Sequence, residues 1–154
     1  MLGEQDGWAR VETAYDYPGW VRAEALGEEA GEDWLPPRGG EPLAVARRYL
    51  GSPYEWGGMS ERGIDCSGLV HMAFRRCGLL VPRDADQQEE AGEEVAEAEL
   101  MPGDLVCYEG HIAFWAGNGA ILHATGREGV NAVVEEPHPP ELAARARRYV
   151  RFGS

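Results

Sequence analysis

The stretch Tyr49–Arg76, YLGSPYEWGGMSERGIDCSGLVHMAFRR, carries a single cysteine, Cys66, where one kind of local structure gives way to another. Ahead of it Gly57, Gly58, Ser60 and Gly63 make a turn-rich segment. Behind it Leu69, Val70, Met72, Ala73 and Phe74 follow the spacing of one buried side of a helix. Cys66 therefore opens that helix. Unpaired N–H groups and the positive end of the dipole at a helix N-terminus favour an anion, so a thiol seated there is expected to ionise near neutral pH and serve as a nucleophile. The competing reading is a small apolar filler, since free cysteines commonly pack as hydrophobes.

Downstream the period of the sequence changes to two. Asp104–Tyr108, His111–Trp115 and Ala120–His123 read as successive strands, with turns at Glu109-Gly110 and Gly117-Asn118-Gly119. A hairpin across the second turn brings His111 and His123 to the same end of the sheet. A thiolate attacking an amide needs a base for its proton, a group to orient that base and donors for the developing oxyanion, and Cys66, His111 and His123 suit the first three places of such a set. The N–H of Cys66 is the natural oxyanion donor. Of the four histidines, His71 lies within the Cys66 helix five residues on, facing away, and His138 sits in a Pro-flanked loop, so both are read as bystanders. Cys66, Cys107, His111 and His123 have zinc-compatible chemistry, but neither CxxC nor HxxxH spacing occurs, and no metal or other cofactor is expected.

Asp65-Cys66-Ser67-Gly68, preceded by Pro53-Tyr54-Glu55-Trp56-Gly57-Gly58, resembles the signature of the NlpC/P60 cysteine peptidases, which cut peptidoglycan peptides. Further pieces follow in that family's order: Pro82-Arg83-Asp84 with Gln87, Pro102-Gly103-Asp104-Leu105, His111-Ile112-Ala113 and His123-Ala124. The resemblance covers about Glu41 to Phe152. It implies a papain-like α+β domain, with Cys66 as nucleophile, His111 as base and then acid, and His123 as the orienting residue. It also implies substrate contacts at Tyr54, at Asp65 and Ser67, which in members with SH3-like domains are associated with the free amine of an N-terminal L-Ala, and at Arg83 and Asp84. Each of these has a structural counterpart: a core aromatic for Tyr54, a helix cap for Asp65, an ion pair for Arg83.

The remaining elements fit an α+β domain of helices packed on a mostly antiparallel sheet. Leu43, Ala46, Tyr49 and Leu50 recur at helical spacing behind Pro42, with Gly51 placed to stop the helix. Asp84–Gly92 reads as a short surface helix, and Glu89–Glu99, rich in acids, as a solvated face. Asn131–Val134 and Arg148–Phe152 add two strands, with a short helix over Pro140–Arg147 between them. At the other end, Trp8 to Thr13 and Trp20-Val21 suit two strands around a turn from Ala14 to Gly19, and resemble the C-terminal half of a bacterial SH3 domain. The expected organisation is a partial SH3-like segment over residues 1–30, a linker over 31–40 in which Trp34-Leu35 is apolar enough to dock, and a catalytic domain over 41–154.

Among 154 residues, 44% are hydrophobic and 27% charged, the composition of an ordinary globular chain. The formal net charge of −13 disfavours nucleic acid, anionic membranes and polyanionic wall polymers as partners and suits a small soluble substrate. No run of apolar residues has the length of a membrane helix, the first residues lack the pattern of an export signal, and three cysteines form no framework; together these read as cytoplasmic. The expected function is hydrolysis of the γ-D-glutamyl to diamino-acid bond of a murein tripeptide or tetrapeptide with a free N-terminal L-Ala, in peptidoglycan recycling. The alternatives are a secreted wall hydrolase whose leader has been removed and a peptide-binding module without catalysis.

Overall fold

Alternating apolar residues at both ends of the chain become sheets in a computed structural model, which describes residues 3–12, 18–27 and 35–153. The chain divides into two units, residues 1–34 and 35–154. In the first, β1 (Gly3–Gln5), β2 (Trp8–Glu12) and β3 (Pro18–Arg22) form an antiparallel three-stranded sheet, with Arg10 opposite Trp20 and the Arg22 guanidinium 4.6 Å from the Trp8 ring centre. The sequence reading had two strands here; the added β1 pairs Gln5 with Trp8 across Asp6-Gly7, both at positive φ. The expected turn residues 14–17 and Trp34 lie outside the described residues.

The second unit begins with α1 (Pro42–Ala46), whose proline sits in the first turn where its missing N–H costs no bond. The expected helix to Leu50 tightens into a 3-10 turn over Arg47–Tyr49 before Gly51. After a two-residue ribbon, β4 (Met59–Ser60) with β5 (Gly63–Ile64), comes α2 (Cys66–Arg76). Asp65 is its N-cap, with extended backbone and a side-chain oxygen 2.7 Å from the N–H of Gly68. Gly78, at φ 76°, ends it: a Cβ there would collide with the Pro36 carbonyl.

Next come α3 (Ala85–Ala91) and a short edge strand, β6 (Glu93–Glu94), then a meander of β7 (Leu105–Tyr108), β8 (His111–Gly117), β9 (Ala120–Thr125) and β10 (Ala132–Pro137). A short helix, α4 (Pro140–Ala143), leads to β11 (Arg148–Arg151), which inserts between β7 and β6 to give the order β10-β9-β8-β7-β11-β6. All six are paired antiparallel. Both faces of the central strands are covered. Leu105, Cys107, Ile112, Phe114 and Leu122 meet Leu69, Val70, Ala73 and Phe74 of α2, while Val106, Tyr108, Ala113 and Ile121 meet Leu142, Ala146 and Tyr149. That double burial explains why Leu105–Tyr108 is apolar throughout instead of alternating.

Three sequence expectations shift. The helix over Pro140–Arg147 keeps only its first four residues as α-helix and continues as single turns. The acidic run Glu89–Glu99 is not only a solvated face: Glu93-Glu94 pairs with Val150-Arg151, and the Glu94 carboxylate lies 2.7 Å from Arg148. The surface helix α3 turns a fully buried side chain, Gln88, toward the core. No helix among the described residues is long and apolar enough to cross a membrane.

The Pro-Gly-Asp turn ahead of β7 has a structural task. Asp104, 3% exposed, accepts two bonds of 2.7 Å from the Arg151 guanidinium and a third from the Met101 N–H, and so locks the start of β7 to β11. Arg151→Met removes the counter-charge paired with Asp104 while leaving the carboxylate buried, and is expected to cost about 2–3 kcal/mol in urea unfolding. An unchanged midpoint would show that this lock is dispensable.

Candidate active site

Cys66 is the first residue of α2, packed to 8% exposure between the helix-side core and the start of β8. The backbone N–H groups of Ile112, of Ser67 and of Cys66 itself favour a negative sulfur and pull its pKa down. Ile112 is free to do so because β8 and β9 part at this end: their register runs from Gly117 opposite Ala120 to Phe114 opposite Leu122 and stops there. The helix start thus meets the sheet beside His111.

Continuing that register sets His123 opposite Ala113, a diagonal neighbour of His111 on the same face. Nε2 of His111 and Nδ1 of His123 are 2.8 Å apart, and Nε2 of His123 lies 3.1 Å from the carboxylate of Glu136. A carboxylate only accepts, so the tautomers follow: His123 donates from Nε2 to Glu136, accepts at Nδ1 from His111, and leaves Nδ1 of His111 unprotonated. The other Glu136 oxygen holds Arg127 at 2.8 Å. Although burial opposes it, the bonds from Arg127 and His123 hold the Glu136 carboxyl below its usual range, so it stays an acceptor.

Sequence periodicity ends this strand at Val134 and does not reach Glu136. In the structure Val134 pairs with His123, and carrying the same alternation two residues further puts Glu136 on the histidine side. The bystanders do structural work. Nδ1 of His71, buried in α2, donates to the Val81 carbonyl at 2.9 Å, and His138 shares a 2.7 Å bond with the Tyr108 hydroxyl.

On the far side of the sulfur, Asp65, Ser67 and Arg83 form one network. The Asp65 carboxylate accepts from the N–H of Gly57 (2.7 Å) and of Gly68 (2.7 Å), from Arg83 (2.8 Å), and at the limit of bonding distance from the Ser67 hydroxyl (3.4 Å). Arg83 also donates to the Ser67 hydroxyl (2.9 Å) and the Gly58 carbonyl (3.3 Å). The turn is pressed so close that a Cβ on Gly68 would collide with the Gly58 carbonyl, which accounts for glycine in the fourth place of Asp-Cys-Ser-Gly. Gln88, also missed, ties this network to α3: its Nε2 donates to the carbonyls of Ser67 (3.0 Å) and Pro82 (2.7 Å). Only its inward position on a polar helix could have marked it. Tyr54 is half-buried against the core, and its hydroxyl is held above its ordinary pKa by burial, then by the charges of Cys66 and Asp65. Asp84 is the N-cap residue of α3, without a capping bond from its side chain.

The zinc-compatible quartet is not gathered. Cys107 packs with the helix-side core, on the opposite face from its neighbour Tyr108, whose ring lies 5.6 Å from that of His111. Among the described residues no three His, Cys, Asp or Glu side chains are grouped to hold a metal ion.

Electrostatically the pair rests neutral. Burial pushes the Cys66 thiol up, outweighing the three N–H groups that pull it down. Burial, helped by the charges of His123 and Arg145, lowers His111 to about 4. The helix terminus therefore does not make the resting thiolate expected from sequence. It supplies N–H donors that favour the thiolate, while enclosure favours the protonated sulfur and is the larger effect.

The NlpC/P60 family profile matches residues 51–148. The chain belongs to the NlpC/P60 family. It is 34% identical over 137 residues to dipeptidyl-peptidase 6 of Lysinibacillus sphaericus, an alignment covering 86% of this chain and 51% of that protein. It is 41% identical over 91 residues to the bifunctional muramidase/DL-endopeptidase CwlT of Bacillus subtilis, covering 53% of this chain and 28% of that one. Of these two curated relatives it thus spans about half and about a quarter. Among solved structures, an NlpC/P60 family protein from Bacillus cereus superposes on 98% of this chain and 52% of its own, with TM-score 0.70 and 26% identity. The α+β papain-like fold of an NlpC/P60 domain, with a small N-terminal sheet, is established by these matches together with the architecture above.

Two outcomes follow for the site of this NlpC/P60 chain. With the thiol raised above 9.0 and His111 lowered to about 4, thiolate grows only as pH rises, while the imidazole stays neutral and able to accept a proton down to about pH 5. Iodoacetamide labelling of Cys66, followed by peptide mapping, should keep accelerating through pH 8–9; a plateau below pH 7 would reveal a preformed thiolate–imidazolium pair. Glu136→Ala frees the His123 tautomer and should lower kcat about 10-fold or more with little change in KM, whereas Glu136→Gln, which keeps an acceptor, should recover part of the loss. Equal activity of all three proteins would remove Glu136 from the mechanism.

Proposed function

We propose that this chain is a cysteine endopeptidase that hydrolyses the γ-D-glutamyl to diamino-acid bond of peptidoglycan stem peptides, acting on peptides that begin with a free L-Ala, such as L-Ala-γ-D-Glu-diaminopimelate. The observation that carries the reading is the chain of bonds from His111 through His123 to Glu136, which leaves an unprotonated imidazole nitrogen beside the Cys66 sulfur's own contact, Ile112. A buried thiol and a neutral base are suited to attack coupled to proton transfer.

In this scheme Nδ1 of His111 takes the thiol proton as sulfur bonds to the γ-carbonyl carbon. The carbonyl electrons move to oxygen, where the Cys66 N–H stabilises them, with Tyr54 positioning the group. The imidazolium then protonates the leaving amine as the C–N bond breaks. Water, deprotonated by the same nitrogen, opens the thioester and returns the proton to sulfur. The amine end of the substrate is assigned to the Asp65–Ser67–Arg83 cluster, with Asp84 at its rim. Asp65 meets an ammonium by giving up its 3.4 Å contact with Ser67, the weakest of its bonds.

The relatives support the bond chosen: one is a DL-endopeptidase and another, whose alignment takes in most of this chain, a dipeptidyl-peptidase, a class that counts from a free amine. The charge of −13 supports released peptides, inside the cell, over the polyanionic wall. A peptidoglycan hydrolase, RipB of Mycobacterium tuberculosis, superposes on 73% of the chain at 32% identity and favours the second reading, a wall hydrolase.

Mass spectrometry of products from defined tripeptides and tetrapeptides decides between these. The expected result is release of L-Ala-γ-D-Glu from free peptides, poor turnover of N-blocked or sugar-linked ones, and a loss of about 10⁴-fold or more in Cys66→Ala. Equal turnover of sugar-linked stems would establish the wall hydrolase. Turnover unchanged in Cys66→Ala would trace the hydrolysis to a contaminant and, like turnover absent from the parent chain, leave a binding module.

A further inference from the structure

Beside the rings of His111 and His123 lies a cavity of about 290 Å³ lined by these two, Arg127, Glu141 and Arg145 among others. The proposed hydrolysis gives this cavity a direction. His111 must protonate the leaving nitrogen, so the departing residue lies on the imidazole side of the sulfur and the acyl portion on the side of Asp65 and Ser67. The cavity is where the diamino acid belongs.

Its charges are specific in a chain of net charge −13. Arg127 is held by Glu136, 2.8 Å away. Arg145 is exposed and takes part in no ion pair or side-chain hydrogen bond among the described residues, although it is close enough to His111 to help depress its pKa. Glu141 lies four residues before it in a run of helical turns from Pro139 to Ala146, whose successive backbone bonds place the two on one side. Leu142 and Ala146, between and beyond them, are packed on the Val106–Tyr108–Ala113–Ile121 cluster and fix that side toward the cavity rim. An exposed cation without an ion pair among the described residues, with an acid one turn away, complements a head group bearing a carboxylate and an ammonium on one carbon.

We propose that Arg145, with Glu141, forms the specificity subsite for the distal amino-acid head of the leaving residue, so that diaminopimelate, with that carboxylate, is favoured over lysine, which ends in an ammonium alone. This inference rests on the peptidase reading above and adds to it which diamino acid is taken.

The test compares three tripeptides, L-Ala-γ-D-Glu followed by meso-diaminopimelate, by its distal carboxamide, or by L-Lys, in the parent chain and in Arg145→Gln and Glu141→Gln, at pH 7.5, where His111 is neutral in each. The parent chain is expected to cleave the free diaminopimelate peptide about 10-fold faster in kcat/KM than the other two, mostly through KM. Arg145→Gln should abolish the preference over the carboxamide while changing turnover of the L-Lys peptide less than about 3-fold. Glu141→Gln should weaken all three peptides, since each carries the distal ammonium, and leave the preference for the free carboxylate in place. Equal loss on all three peptides in Arg145→Gln would mean that the arginine acts only on His111, and no parent preference would mean that the cavity does not read the distal head; either overturns this inference and leaves the peptidase intact. Failure of the parent chain to cleave any of the three overturns the peptidase reading and this one with it.

Discussion

The site hangs on one carboxylate. Asp65 caps α2 through Gly68, grips the turn before it through Gly57 and anchors Arg83, which arrives from the segment beyond the helix. These bonds do for the nucleophile what sequence adjacency alone cannot: they fix the angle at which the first turn of α2 points its sulfur at the edge of the sheet. The cluster is almost wholly enclosed, and burying an ionised pair is costly unless every acceptor is occupied. Occupation here is near complete, through backbone N–H groups, a guanidinium and a hydroxyl, and Gln88 extends the bracing into α3. Charge that would be expensive alone is made into a rigid corner.

The second half of the site works by a different rule. Glu136 is the carboxylate bonded to the histidine pair, and enclosure disfavours the imidazolium of both rings. What remains is directional: a chain of donors and acceptors that ends on an acceptor-only group and so sets the proton on every ring nitrogen. Burial thus favours a neutral imidazole at His111 and a protonated thiol at Cys66. A site of this kind reacts when substrate brings the dipoles that stabilise separated charge.

Sheet geometry joins the two halves. The two-residue turn at Glu109-Gly110 pairs Tyr108 with His111, and the irregularity between Trp115 and Gly117 sets the register of β9 one residue off the simple hairpin. The strands separate just where Cys66 approaches, which leaves the Ile112 N–H to act on the sulfur. The segment from Pro139 to Ala146 then closes the outer face and brings its charges to the cavity beside the two rings.

Much of this was legible in the amino-acid order. Apolar residues after Cys66 recur at helical spacing and those from Leu105 to Leu122 in strand runs, so the helix start, the meander and the shared end of His111 and His123 follow from local periodicity and turn chemistry. Asp65 as a cap and Arg83 as an ion-pair partner were among the readings that local rules allow. What the order of residues left open was everything set by distance between elements. Glu136 becomes part of the relay only once β10 is in register with β9; Gln88 faces inward only because α3 packs beneath Ser67; Glu93-Glu94 is a strand only because β11 inserts beside β7. The protonation of Cys66 was misjudged for the same reason. A helix terminus is a local property that a sequence displays, whereas desolvation depends on what the rest of the chain stacks around the thiol, and here burial is the larger effect.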